Sequence, residues 1–174
     1  MKKIVLHTFL FLVLALFILS AYKEATSSGA KSTRLPCYKG LTVFEKVHSE
    51  SLLKKIDKKA NKSAEISFVP SKYKSPELFD IVKKEDISLM AQKELNATFQ
   101  KKNPLHIKLM VLENDKLDPG KKNEEAKKFL GYIRASYYYE NSLIYQVQVD
   151  FLTHDKIAST LKCIEQSFGT LLRK

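Results

Sequence analysis

Apolar and polar residues alternate most cleanly near the end of the chain. Leu143, Tyr145, Val147, Val149 and Phe151 interleave with Ile144, Gln146, Gln148 and Asp150, the two-residue period of a strand with one buried and one wet face. Residues 129–139 are β-branched and aromatic, and Glu140-Asn141-Ser142 after them is turn-like, so the two runs predict an antiparallel hairpin. Residues 105–112 set Leu105, Ile107, Leu109 and Val111 against His106, Lys108 and Met110, which gives a third strand. Residues 64–69, closed by Pro70, form a shorter fourth.

Helical spacing brackets these strands. Ile157, Leu161, Ile164, Phe168 and Leu171 fall on one stripe, predicting an amphipathic helix over residues 156–172 with Asp155 as its cap. Cys163 lies on the flank of that stripe, where an incoming N-terminal segment could meet it. Upstream, Ile87, Ala91, Leu95 and Thr98 share a face with Met90, and Asp86 can cap them. Leu78, Ile81 and Val82 lie on a different side, which predicts a short helical turn, a break at residues 83–85, and a main helix to about residue 102. Residues 41–59 are ambiguous, strand-like at Thr42-Val43-Phe44 and a polar helix over 51–59. The order predicts an α+β fold: an antiparallel sheet of three to four strands with helices packed on one face, closed by the C-terminal helix.

Residues 1–21 carry Lys2 and Lys3, an apolar run, and small residues Ser20 and Ala21. That is the layout of a signal peptide, and its length also suits an N-terminal membrane anchor. Residues 22–36 are rich in Ser, Gly and Thr and read as a flexible linker. Residues 37–174 then form a single α+β domain. A chain of 174 residues with 44% hydrophobic and 28% charged residues fits one globular core.

Export bears on the cysteines. Only Cys37 and Cys163 are present, and in an oxidising compartment an even count that small suggests a single disulfide, the alternative being two unpaired thiols. Neither belongs to a CxxC or zinc spacing. A lipid-anchored form would need a cysteine directly after the apolar run, where Ala21, Tyr22 and Lys23 stand.

The leader, the extended lead-in, a helix ending in Leu95 and Phe99, a hydrophobic strand, the Tyr-rich hairpin YIRASYYYENSLIYQVQVDF and a last helix ending IEQSFGTLL resemble small bacterial envelope proteins. The likeness is to the sheet-plus-helices accessory lipoproteins of lipopolysaccharide assembly and of lipid-transporting ABC systems. It is one of architecture, covers residues 66–172, and lacks the lipobox cysteine. It implies a non-enzymatic binding or assembly role near the membrane, in the periplasm or anchored facing it. The implied partners are an envelope protein complex or anionic lipid and lipopolysaccharide. A secreted factor engaging an extracellular or host partner is the alternative. Glu94-Leu95-Asn96-Ala97-Thr98 also resembles the acidic acceptor sequon of periplasmic N-glycosylation, making Asn96 a candidate for modification.

Catalytic signals are thin. His48, His106 and His154 show no HExxH and no metal-ligand spacing, and no Gly-rich phosphate loop or nucleophile elbow exists. No catalytic, metal or cofactor site is therefore assigned, and a hydrolase using His48 or His154 is the third reading. Charge is +11, or +9 without Lys2 and Lys3, spread as lysine pairs; it suits anionic surfaces. Nucleic acid is set aside because the chain is exported and lacks the RNA-binding signature. By strand parity Tyr137, Tyr139 and Tyr145 face the core, whereas Tyr138 points with Arg134 and Ser136. Tyr138 and Arg134 are the candidate surface contact, and the oligomeric state is not readable.

Overall fold

The computed structural model describes residues 32–73, 77–99, 103–120 and 124–172. The leader or anchor over residues 1–21, and the linker up to residue 31, lie outside the described residues. From Ser32 onward the chain is one compact unit. No helix among the described residues is long and apolar enough to cross a membrane.

The described residues form six strands: β1 (Thr42–Val47), β2 (Lys62–Val69), β3 (Ala97–Thr98), β4 (Leu105–Glu113), β5 (Gly131–Tyr139) and β6 (Ser142–Phe151). The helices are α1 (Glu50–Leu53), α2 (Leu78–Ile81), α3 (Lys84–Leu95) and α4 (Ile157–Leu171). They form one sheet in the order β1-β6-β5-β4-β2-β3. This corrects the expectation of three to four antiparallel strands. The sheet is mixed, because β2 runs parallel to both β4 and β3 while the other pairs are antiparallel. The physical reason is connectivity. α2 and α3 carry the chain back along the sheet between β2 and β4, and a crossover of that kind joins parallel neighbours. Alternation within a strand reports which faces are buried, not the direction of the neighbouring strand.

The β5–β6 connection is a two-residue turn in which Glu140 (φ 48°) and Asn141 (φ 68°) are both left-handed. That backbone matches the twist of the flanking strands. A register shift follows at Tyr137/Tyr138, and it corrects the parity expected of Ile144. Alternation would place Ile144 on the wet face, yet both Ile144 and Tyr145 are fully buried. The Ile144 carbonyl instead accepts the backbone N–H of His48 at 2.8 Å, so the extra residue of the bulge holds the chain leaving β1.

α3 also ends earlier than the spacing predicts. Asn96 is its C-cap, left-handed at φ 47°, with its N–H bonded to the carbonyls of Gln92 and Lys93, a conformation that Asn tolerates better than most residues. The start of α3 carries Lys83 as N-cap with no side-chain capping bond, so Asp86 lies inside the first turn. Asp155 likewise sits in the turn His154–Lys156 ahead of α4.

One sheet face packs beneath α3 and α4. Ile107, Leu109, Val111, Ile133, Ala135, Tyr137, Val147 and Val149 from the strands meet Ile87, Ala91, Leu95, Leu161, Ile164 and Phe168 from the helices, all essentially inaccessible. The Tyr137 ring stacks on Phe168 with centroids 4.0 Å apart, and its hydroxyl has no hydrogen-bond partner among the described residues. Gly131 marks the tightest approach in the core. A Cβ there would stand 2.6 Å from the Leu112 carbonyl oxygen and 2.8 Å from the Phe151 ring. Gly131→Ala is expected to cost about 1–3 kcal/mol, as overpacking does; an unchanged urea midpoint would refute that packing.

The N-terminal lead-in is held twice. Cys37 and Cys163 place their sulfurs 2.02 Å apart, at disulfide distance. Beside them Glu45, on β1, accepts from Arg34 Nε (2.9 Å), Arg34 Nη2 (2.9 Å) and Tyr145 Oη (2.6 Å). Ser32, Tyr38 and Ser167 complete the cluster. Burial would raise the Glu45 carboxyl, but the hydrogen bonds from Arg34, Ser32, Tyr145 and Tyr38 outweigh it and hold it at about 2.

Candidate binding groove on the open sheet face

Among the described residues neither α3 nor α4 packs on the second face of the sheet. Its residues follow from register: Ser63, His106 and Tyr138 form one cross-strand row, and Glu65, Lys108, Ser136 and Gln146 the next. Successive residues of a strand point to opposite faces, so the apolar residues between these polar ones are spent on the core.

Ser63, Glu65, Asn103, His106, Lys108 and Tyr138 line a groove of about 860 Å³, with Glu140 and Asn141 of the hairpin turn and Phe99 at its margin. Ser63 Oγ accepts the Asn103 N–H at 2.9 Å and shares a hydrogen bond with His106 Nδ1, also 2.9 Å away. His106 Nε2 lies 3.7 Å from Glu65 Oε2. Lys108 Nζ lies 3.1 Å from Glu65 Oε1 and 5.5 Å from the centre of the Tyr138 ring. The hydrogen bond from Lys108 keeps the Glu65 carboxyl below its ordinary range, so it is charged at neutral pH.

The serine, histidine and carboxylate are arranged as a nucleophile, base and orienter would be. Ser63 is 2% exposed, and its oxygen accepts the Asn103 N–H. The groove also offers an aromatic ring, amide groups, an imidazole and carboxylates. Among the described residues that line the groove, Glu65 and Glu140 stand with the ammonium of Lys108. Among the described residues no three His, Cys, Asp or Glu side chains converge as a metal site.

Of the residues singled out in the sequence, Tyr138 lines the groove. Arg134 does not; it lies four residues earlier on β5 and donates to Gln148 Oε1 at 3.0 Å. His48 and His154 are exposed and belong to the loops after β1 and before α4. Asn96 is exposed at the end of α3. Ser63, Glu65 and His106 were the residues that sequence reasoning missed, because they come from strands 35 or more residues apart. The usable signal was parity: His106 and Lys108 sit at the wet positions of β4, Ser63 and Glu65 at those of β2.

Fold and groove define a class: a disulfide-distance α+β unit with a six-stranded mixed sheet, two helices of three or more turns on one face, and a polar groove on the other. No protein-family model matches the chain, and no curated protein matches it in sequence. A solved structure, PelC from Paraburkholderia phytofirmans, crystallised as a dodecamer, superposes with a TM-score of 0.45 at 6% identity, covering 74% of this chain and 97% of that one. A likeness that slight says nothing of what this chain does.

Proposed function

We propose that the protein is an exported, non-enzymatic accessory of a bacterial envelope, which uses the groove to hold a polar segment of an envelope partner protein. The observation that carries the compartment is the Cys37–Cys163 pair. Such pairs persist as disulfides in oxidising compartments, which agrees with the leader-like residues 1–21. The binding role is supported by the pinned Ser63 hydroxyl beside an open, ring-bearing groove.

Cell fractionation with intact-mass analysis tests the compartment. The expected result is an envelope or periplasmic fraction whose mass is two hydrogens below the reduced value. A cytoplasmic, full-length, reduced protein would overturn the reading. For the groove, Tyr138→Ala is expected to weaken partner binding by about ten-fold, as loss of an aromatic contact does at a binding site, without changing the melting temperature. Full affinity in that variant would show that the partner binds elsewhere.

A further inference from the structure

The chain carries a net charge of +11, and the structure gathers five of its lysines at one corner. Residues 54–62 read KKIDKKANK, five lysines against Asp57. This segment leaves α1 and enters β2. Buried Leu53 and Ile56 fasten it to the core, and Asp57 folds it by accepting the Lys59 N–H at 2.9 Å. Lys54, Lys55, Lys58 and Lys59 are thereby turned outward.

Beside them lies a depression of about 370 Å³, whose donors come from Lys58, Lys59, Lys62, Asn61, Gln92 and Asn96. Among the described residues that line it the carboxylate is Glu165, which is paired with Lys62. The depression also touches the C-terminal end of α3, which counts as about half a negative charge. Three ammonium groups against one carboxylate and half a charge leave about one and a half positive charges unspent. These lysines therefore exceed what the helix end and Glu165 require.

The geometry points to this corner as the docking surface for a phosphate-bearing anionic membrane. Charge complementarity selects that occupant, because every uncommitted group lining the depression can donate a hydrogen bond and none of its charged groups is a free anion. Lys62 and Ser63 are consecutive on β2 and point to opposite faces. The corner and the groove thus lie at the same end of the sheet on opposite sides, and a molecule seated by its lysines holds its groove away from the bilayer. This inference rests on the exported reading and deepens it.

The test uses the compact unit from Ser32 to Lys174, since the apolar leader would itself enter a bilayer. Binding is measured to vesicles of phosphatidylglycerol with phosphatidylcholine, and to phosphatidylcholine alone. Binding is expected only to the anionic vesicles and to fall steeply with salt. Each surface lysine is worth about five-fold in membrane partition, so Lys58→Gln with Lys59→Gln is expected to weaken it about twenty- to thirty-fold. The charge-preserving pair Lys58→Arg with Lys59→Arg should bind as the parent does. Lys127→Gln with Lys128→Gln, at the opposite end of β5, removes equal charge and should cost much less.

Equal losses from the two Gln pairs would overturn the proposal, because the attraction would then belong to net charge. Displacement by inorganic phosphate beyond that of chloride at matched ionic strength would overturn it in favour of a free-anion pocket. Absence of vesicle binding by a protein that fractionates with the envelope sinks the corner and leaves the exported reading standing. A cytoplasmic protein sinks the exported reading whatever the vesicles do.

Discussion

Reduction of the Cys37–Cys163 pair is expected to lower the unfolding free energy by about 3–5 kcal/mol. The two residues are 126 apart in sequence, and chain entropy gives a loop of that length a value near the top of the range, from which real bridges fall short. The bridge ties the lead-in to Cys163 on α4, a helix whose inner face meets β5 and β6. Its loss should therefore loosen the lead-in first and then α4. Urea denaturation with and without reductant measures this, with Cys37→Ser/Cys163→Ser as the genetic counterpart. Coincident midpoints would mean that the pair carries no constraint.

Glu45→Ala is expected to cost about 3 kcal/mol, the low end of the range for removing one partner of a buried charge pair, because the Arg34 side chain stays 26% exposed. The carboxylate is the common acceptor for Ser32, Arg34, Tyr38, Tyr145 and Ser167, and without it a guanidinium and four hydroxyls must share the acceptors that remain, chiefly Ser167. Acid should reproduce part of the loss. Because the folded carboxyl is held at about 2, below its ordinary 4.5, its contribution is complete above about pH 4.5 and disappears as pH falls through about 2. That contribution is about 2–3 kcal/mol after allowing for solvent at the rim of the cluster. Glu165 works the other way. Burial pushes its carboxyl up despite Lys62, so its neutralisation relieves a cost on acidification. Glu45→Gln should flatten the fall in stability between pH 4.5 and 2; an unaltered acid limb would refute the assignment to Glu45. Disulfide and cluster hold the same segment, so the two losses should not add.

Legibility in the sequence tracked locality. The β5–β6 hairpin, β4 and the amphipathic α4 each advertise themselves within a dozen residues, by a period of two or of 3.6, and each stands within a residue or two of its expected place. The bulge hid Ile144, because one inserted residue reverses parity without altering composition. The end of α3 hid too. Its apolar spacing runs on to Thr98, but the left-handed Asn96 turns Ala97–Thr98 into a strand beside β2. Tyr138 was visible as an outward ring in an inward series, whereas its neighbours in the groove were not.

The sequence alone determined which faces are greasy, that α4 carries a core-facing stripe, and that Tyr138 points away from Tyr137 and Tyr145. Those properties depend on side-chain period and on the short-range geometry of helix and strand. Only the tertiary structure decided that the sheet has six strands with β2 parallel to β4, and that Ser63, His106 and Tyr138 form one row. It alone brought Arg34, Glu45, Tyr145 and Ser167 into one cluster, and Lys58, Lys59 and Lys62 to the end of α3. Strand partners far apart in the chain are chosen by closing long loops around a shared core, and that choice is made by the whole chain at once.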